Sequence, residues 1–133
     1  MNKIEHIGIA VKDMEQSKAL YALLLGTEPY KQEVVESENV LTTFFKTGES
    51  KIELLSATNQ NSVIAKFIEK RGEGIHHIAF DTKDIYSEIK RLEASGFQMI
   101  HPEPKPGADN KLIAFLHPKS TCGVLVELCM DMG

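Results

Sequence analysis

Apolar and polar residues alternate along residues 4–11, and the alternation returns along residues 75–81. Successive side chains of a strand point to opposite faces, so this period of two predicts a half-buried strand at each place. The period then lengthens. Residues 14–25 and 85–95 read as amphipathic helices, the second with Ile85, Ile89 and Leu92 at helical spacing. Asp13 and Asp84 stand where an N-cap carboxylate accepts from the first free N–H groups. Gly26 and Gly96 stand where the left-handed backbone that ends a helix favours glycine. Three shorter strands follow in each half: 30–35, 40–47 and 51–56 in the first, 98–103, 111–116 and 123–130 in the second. Turns at Gly48-Glu49-Ser50 and Pro118-Lys119-Ser120 separate the last two of each set. Residues 58–73 join the halves and carry a short predicted helix at 63–70.

The halves also repeat each other residue by residue. Ile4-Glu5-His6-Ile7-Gly8-Ile9 returns as Ile75-His76-His77-Ile78-Ala79-Phe80, and Lys12-Asp13-Met14 as Lys83-Asp84-Ile85 at the same offset. Leu25-Gly26 falls beside Ser95-Gly96, Thr43-Phe44-Phe45 beside Ala114-Phe115-Leu116, and Ile52-Glu53-Leu54 beside Val126-Glu127-Leu128. Matches that keep order and nearly keep spacing mark an internal repeat. The predicted fold class is therefore α+β, with two tandem βαβββ modules in a single domain spanning 1–133: module one 1–57, linker 58–73, module two 74–133.

The repeat also selects the candidate chemistry. Each module has a His on its first strand and a Glu on its last: His6 with Glu53, and His77 with Glu127. Both glutamates sit among apolar neighbours, where an unpaired carboxylate is costly to bury. A solvent-facing position accounts for one such residue. The same Glu matched twice to the same His points to function. Two imidazoles and two carboxylates brought to one point suit a divalent ion with open positions: Co²⁺, Mn²⁺, Ni²⁺ or Zn²⁺. The remaining histidines carry less. His76 faces opposite to its neighbour His77, and the repeat register selects His77. His101 precedes Pro102 in a predicted loop, and His117 sits at a strand end, either touching substrate or only terminating the strand.

Composition removes some classes of function. With 133 residues and 42% hydrophobic content the chain can bury one core. A net charge of −4 without a basic tract argues against nucleic acid, whose phosphates require clustered cations. No apolar run approaches the roughly 20 residues of a membrane span. The first residues enter a strand pattern at once, with no signal-peptide pattern, so a cytoplasmic location is expected. Cys122 and Cys129 read as reduced thiols without a role.

Five stretches carry a resemblance: residues 6–11, Gly74-Ile75-His76-His77-Ile78-Ala79-Phe80, Pro102-Glu103-Pro104-Lys105-Pro106-Gly107, His117-Pro118-Lys119-Ser120, and Gly123-Val124-Leu125-Val126-Glu127-Leu128. They resemble the vicinal oxygen chelate (glyoxalase/bleomycin resistance/dioxygenase) superfamily and, within it, the methylmalonyl-CoA epimerases, over essentially the whole chain. The first stretch is generic to the superfamily; the doubled His and the last two stretches are closer to epimerases. The resemblance implies a cupped, partly closed mixed sheet around a metal site, a homodimer, and His6, His77 and Glu127 as metal ligands. Glu53 then takes the fourth ligand position, where some epimerases carry Gln and glyoxalases carry Glu. Co²⁺ leads the list of ions, with Mn²⁺, Ni²⁺ or Zn²⁺ behind it.

The implied reaction is epimerisation at C2 of an acyl-CoA, with proton removal and return through an enolate. Glu127 and Glu53 are the candidate acid/base pair, and His117, Lys119 and Ser120 the candidate substrate contacts. One departure bears on this: some bacterial epimerases place an acid/base glutamate on the strand equivalent to 40–45, where this chain has Thr42. Glu53 is the substitute that the sequence offers. A glyoxalase I-type lactoylglutathione lyase uses the same ligand set, whereas a non-catalytic binding protein of the same fold would need none.

Overall fold

The computed structural model describes every residue, Met1–Gly133. Its elements run β1 (Lys3–Ala10), α1 (Met14–Leu25), β2 (Lys31–Val35), β3 (Val40–Thr47), β4 (Ser50–Ala57), α2 (Val63–Arg71), β5 (Gly74–Asp81), α3 (Ile85–Ala94), β6 (Lys105–Pro106), β7 (Lys111–Leu116) and β8 (Val126–Asp131). This is βαβββ twice over, with α2 between the copies. Short 3-10 helices at Glu36–Glu38 and Pro118–Ser120 occupy turns. By their contacts the residues form two compact units, one of Ile7–His76 and one of Met1–His6 with His77–Gly133.

In the unit Ile7–His76 the strand order is β2-β3-β4-β1, with antiparallel pairing from β2 to β4. Directly opposed residues of an antiparallel pair share a face. Phe45 and Leu54 pack with Val11 and Met14 beneath Tyr21, Ala22 and Leu25 of α1. Leu55 packs on the other face with Ala10, Val40 and Ile64, against Phe67 and Ile68 of α2. Phe44 opposes Glu53 and Thr42 opposes Leu55, which puts Glu53 on the face turned away from α1. The Asp13 side chain accepts from the Gln16 N–H at 3.1 Å, and Gly26 ends the helix at φ +70°.

In the other unit the order is β1-β5-β8-β7-β6, and the sheet is mixed because β5 and β8 run parallel. Ile85, Ile89 and Leu92 of α3 pack on Ala114, Leu116 and Leu128. Each fully buried side chain of this kind stabilises the fold by about 1.5–3 kcal/mol. The reverse face of the sheet carries Ala79, Ile113, Phe115 and Cys129, and here Glu127 lies opposite Phe115.

Two expected strands differ. Residues 98–103 make only an isolated bridge, Met99 with Leu116, and the short strand comes later at Lys105–Pro106. Pro102, Pro104 and Pro106 have no N–H to donate, so no longer ladder can form there. The last strand starts at Val126 rather than Gly123, because Cys122 and Gly123 adopt φ +58° and +85° and turn the chain.

Candidate metal centre

Three strands of the unit containing Met1–His6 and His77–Gly133 each deliver one ligand-type side chain. His6 comes from β1, His77 from β5 and Glu127 from β8. In the parallel β5–β8 register Ala79 is the partner of Glu127, so His77, two residues earlier on the same strand, shares the face of Glu127. The three residues are each only 5% exposed. His6 Nε2 and His77 Nε2 stand 3.0 Å apart. Glu127 Oε1 lies 3.3 Å from His77 Nε2, and its Oε2 lies 3.7 Å from His6 Nε2. The edge of one imidazole meets the face of the other, at an interplanar angle of 87°.

These separations test the fit of an ion directly. Nitrogen and oxygen donors that bond one divalent cation at about 2.0–2.2 Å must stand about 3–4 Å from each other. Two imidazole nitrogens and a carboxylate also form the borderline-to-hard donor set that Zn²⁺, Co²⁺, Mn²⁺ and Ni²⁺ accept. The cluster therefore fits a divalent ion in both geometry and chemistry. All three atoms lie within 4.8 Å of one another.

A group that sequence reasoning passed over stands behind His6. Glu5, 3% exposed, places Oε1 3.0 Å from His6 Nδ1, and its Oε2 lies 3.9 Å from Lys111 Nζ. Lys111 also reaches Asp131 Oδ1 at 3.2 Å. The available signal was two adjacent polar residues, Glu5 and His6, inside a strand that enters the core. Cys129 lies beside Glu5 and His6. Burial, then the nearby charges of Glu127 and Glu5, push its thiol well above the usual range, so it stays protonated and donates to the Phe80 carbonyl at 3.6 Å.

The other candidate residues are placed as follows. Glu53 is buried on β4 in the unit Ile7–His76 and is not part of the three-residue cluster. Thr42 is buried on β3, and its hydroxyl donates to the Glu33 carbonyl at 2.9 Å. His76 packs edge-to-face on Phe67, with ring centroids 5.0 Å apart, and burial lowers its pKa. His117 caps the 3-10 helix Pro118–Ser120, its Nδ1 accepting from the Lys119 N–H at 3.1 Å. Ser120 Oγ accepts from the Gln98 N–H at 2.9 Å, which ties the turn to the loop before β6. Lys119, His101 and Cys122 are exposed.

Residues 5–115 match the Glyoxalase/Bleomycin resistance protein/Dioxygenase superfamily. A hypothetical protein from Bacillus halodurans C-125 has a similar crystal structure, with TM-score 0.96, 46% identity, and coverage of 99% of this chain and 96% of that one. The ethylmalonyl-CoA/methylmalonyl-CoA epimerase of Cereibacter sphaeroides is 38% identical over 130 residues, which is 96% of this chain and 97% of that protein. A structure of Streptomyces coelicolor methylmalonyl-CoA epimerase in complex with 2-nitronate-propionyl-CoA matches with TM-score 0.93 and 34% identity, covering 100% of this chain and 96% of that one.

Proposed function

Because this chain belongs to the glyoxalase/bleomycin resistance protein/dioxygenase superfamily, in the branch that holds the methylmalonyl-CoA epimerases, we propose that it epimerises methylmalonyl-CoA at C2. One observation carries this reading: a buried His6–His77–Glu127 cluster of ion-binding dimensions, in a chain that aligns almost end to end with epimerases.

The C2 hydrogen of the substrate is acidic because the adjacent thioester carbonyl accepts the electron pair left when the C–H bond breaks. His6, His77 and Glu127, with Glu53 as the proposed fourth ligand, would hold a divalent ion, which would supply Lewis-acid stabilisation of the negative charge that collects on that oxygen. Glu53 and Glu127 act as the proton-exchanging pair. One carboxylate takes the proton from one face of C2, and the carboxylic acid of the other returns a proton to the opposite face. Epimerisation needs a group on each face, and a duplicated module supplies the same residue type twice. General acid–base catalysis contributes about 10²–10⁴-fold to rate. Burial around the cluster strengthens these electrostatic effects by excluding water.

Lys119 is the residue that we assign to the CoA phosphates, as an exposed cation on the turn after β7. His117 and Ser120 line the same turn and, besides shaping it, are the remaining substrate contacts of the proposal. Co²⁺ is the preferred ion, with Mn²⁺, Ni²⁺ and Zn²⁺ as alternatives. The protein is taken to act as a homodimer in the cytoplasm, each chain working as one domain; no helix is long and apolar enough to cross a membrane.

The test is deuterium incorporation at C2 of methylmalonyl-CoA, followed with and without a chelator. Exchange that disappears with chelator and returns with Co²⁺ is the expected result, and metal-independent or absent exchange refutes the assignment. A parallel arm with methylglyoxal and glutathione separates the lyase that the same ligands could serve.

A further inference from the structure

We propose that Glu5, held by Lys111, is a positioning residue for the metal centre: it fixes the tautomer and ring orientation of His6, so that Nε2 presents its lone pair to the ion. The inference rests on the metal-binding reading above. It goes beyond that reading by adding a residue that neither donates to the ion nor touches substrate.

The geometry is asymmetric around the His6 ring. Nε2 faces His77 Nε2 at 3.0 Å and Glu127 Oε2 at 3.7 Å, while Nδ1 faces Glu5 Oε1 at 3.0 Å. A carboxylate accepts hydrogen bonds and a neutral imidazole carries one proton, so the proton belongs on Nδ1. That assignment leaves Nε2 as the lone-pair nitrogen on the side of the cluster. Outer carboxylates of this kind orient a metal-ligating imidazole and raise its basicity.

Burying a carboxylate to do this is costly unless it is paired. Glu5 is 3% exposed, and the ammonium of Lys111, 9% exposed, stands 3.9 Å from its second oxygen. Lys111 is itself held by Asp131 at 3.2 Å. A line of alternating charge thus runs from Asp131 through Lys111 and Glu5 to the imidazole. The same ammonium stands beside a second group of ligand-type side chains, Glu5–His6–Cys129. There the ammonium pairs with Glu5, and Cys129 Sγ donates to the Phe80 carbonyl at 3.6 Å.

The repeat does not duplicate this arrangement. The position matching Glu5 in the second module is His76, whose ring packs on Phe67.

The experiment uses the full chain stripped of metal by a chelator, titrated with Co²⁺ against a competing fluorescent indicator. Wild type, Glu5→Gln, Glu5→Ala and His77→Ala are compared. Long-range ¹H–¹⁵N spectra of metal-free wild type read the His6 tautomer independently of any substitution. The expected results are an Nδ1–H tautomer in wild type and a loss of Co²⁺ affinity of about 10–100-fold in Glu5→Ala. Glu5→Gln keeps an acceptor oxygen and loses the charge, so it falls between the two. Wild-type affinity in both Glu5 variants, or an Nε2–H tautomer in wild type, overturns the proposal. Wild type that binds no Co²⁺ refutes the metal reading itself, and binding lost in His77→Ala but kept in the Glu5 variants refutes only the role of Glu5.

Discussion

In the proposed epimerisation, Glu53 and Thr42 are the residues on which the second proton-exchanging group turns. By the resemblance, Thr42 falls near the position where some bacterial epimerases carry a glutamate, and its hydroxyl donates to the Glu33 carbonyl. In β3–β4 pairing Thr42 opposes Leu55 and Phe44 opposes Glu53, so Thr42 and Glu53 are diagonal neighbours on one face. Such neighbours lie about 7–8 Å apart, close enough for one carboxylate to substitute for the other. Glu53→Gln is therefore expected to retain bound Co²⁺, through the amide oxygen, and to lose about 10²–10⁴-fold in kcat. Adding Thr42→Glu to that variant is expected to recover part of the rate; steady-state epimerisation and metal content measured on the same samples check both outcomes. Loss of metal with kcat would make Glu53 a ligand only. At this scale the sequence was informative where the repeat spoke twice: His6 and His77 stood out because they occupy equivalent positions on equivalent strands. Glu5 did not, since its matched position holds a different residue and nothing in a linear pattern shows which side chain backs an imidazole.

Helix α3 holds its place by caps and by one apolar stripe, and the two respond to different perturbations. The Asp84 carboxylate accepts from the Ser87 hydroxyl at 2.8 Å and from the Ser87 N–H at 3.1 Å. Those bonds, the hydroxyl first, hold its pKa below the usual 3.8. A carboxylate whose folded-state pKa is depressed favours folding above its unfolded pKa, and that contribution is lost as pH falls through the folded value. Asp84→Ala should therefore lower Tm at neutral pH, and the gap from wild type should close as pH drops below about 4. Thermal melts at a series of pH values test this, and a gap that widens in acid contradicts it. The stripe gives a larger effect: Leu92 is 5% exposed within the cluster of Ile85, Ile89 and Leu128, so Leu92→Ala should cost about 2–5 kcal/mol in a denaturant titration. Helix α3 was legible from its cap and its apolar period, both local signals, whereas α1 keeps its Asp13 cap but exposes Leu20, Leu23 and Leu24. Along 98–103 apolar residues suggest a strand, but Pro102 has no N–H to donate, and the ladder resumes only at Lys105–Pro106. The start of β8 was hidden differently. Cys122 is not glycine, yet it takes φ +58° just after the 3-10 turn Pro118–Ser120, which its residue type does not announce.

Chain topology makes the centre depend on residues far apart in sequence. Met1–His6 belongs with His77–Gly133, so one ligand comes from the first strand of the chain and another from the last. The repeat predicts two modules with a boundary in the linker; by contacts, the first six residues group with His77–Gly133, and β1 runs beside β5. A repeat in sequence reports ancestry of segments, whereas contacts report which strands lie side by side, and only three-dimensional pairing supplies the second. The thermodynamic consequence is direct. An ion that bonds three residues so widely separated has no comparable site in the unfolded chain, so its binding energy adds to folding stability. At free Co²⁺ about 100-fold above Kd the gain is about 2.7 kcal/mol. For a domain of this size that corresponds to roughly 6–15 °C in Tm. His77→Ala should melt near the metal-free wild type and gain almost nothing from Co²⁺, even though Co²⁺ raises the wild type by that amount. Calorimetric scans of both proteins, each with chelator and with excess Co²⁺, measure the four temperatures required. Equal Co²⁺ shifts in wild type and His77→Ala would place the ion elsewhere on the molecule and remove the buried cluster as its seat.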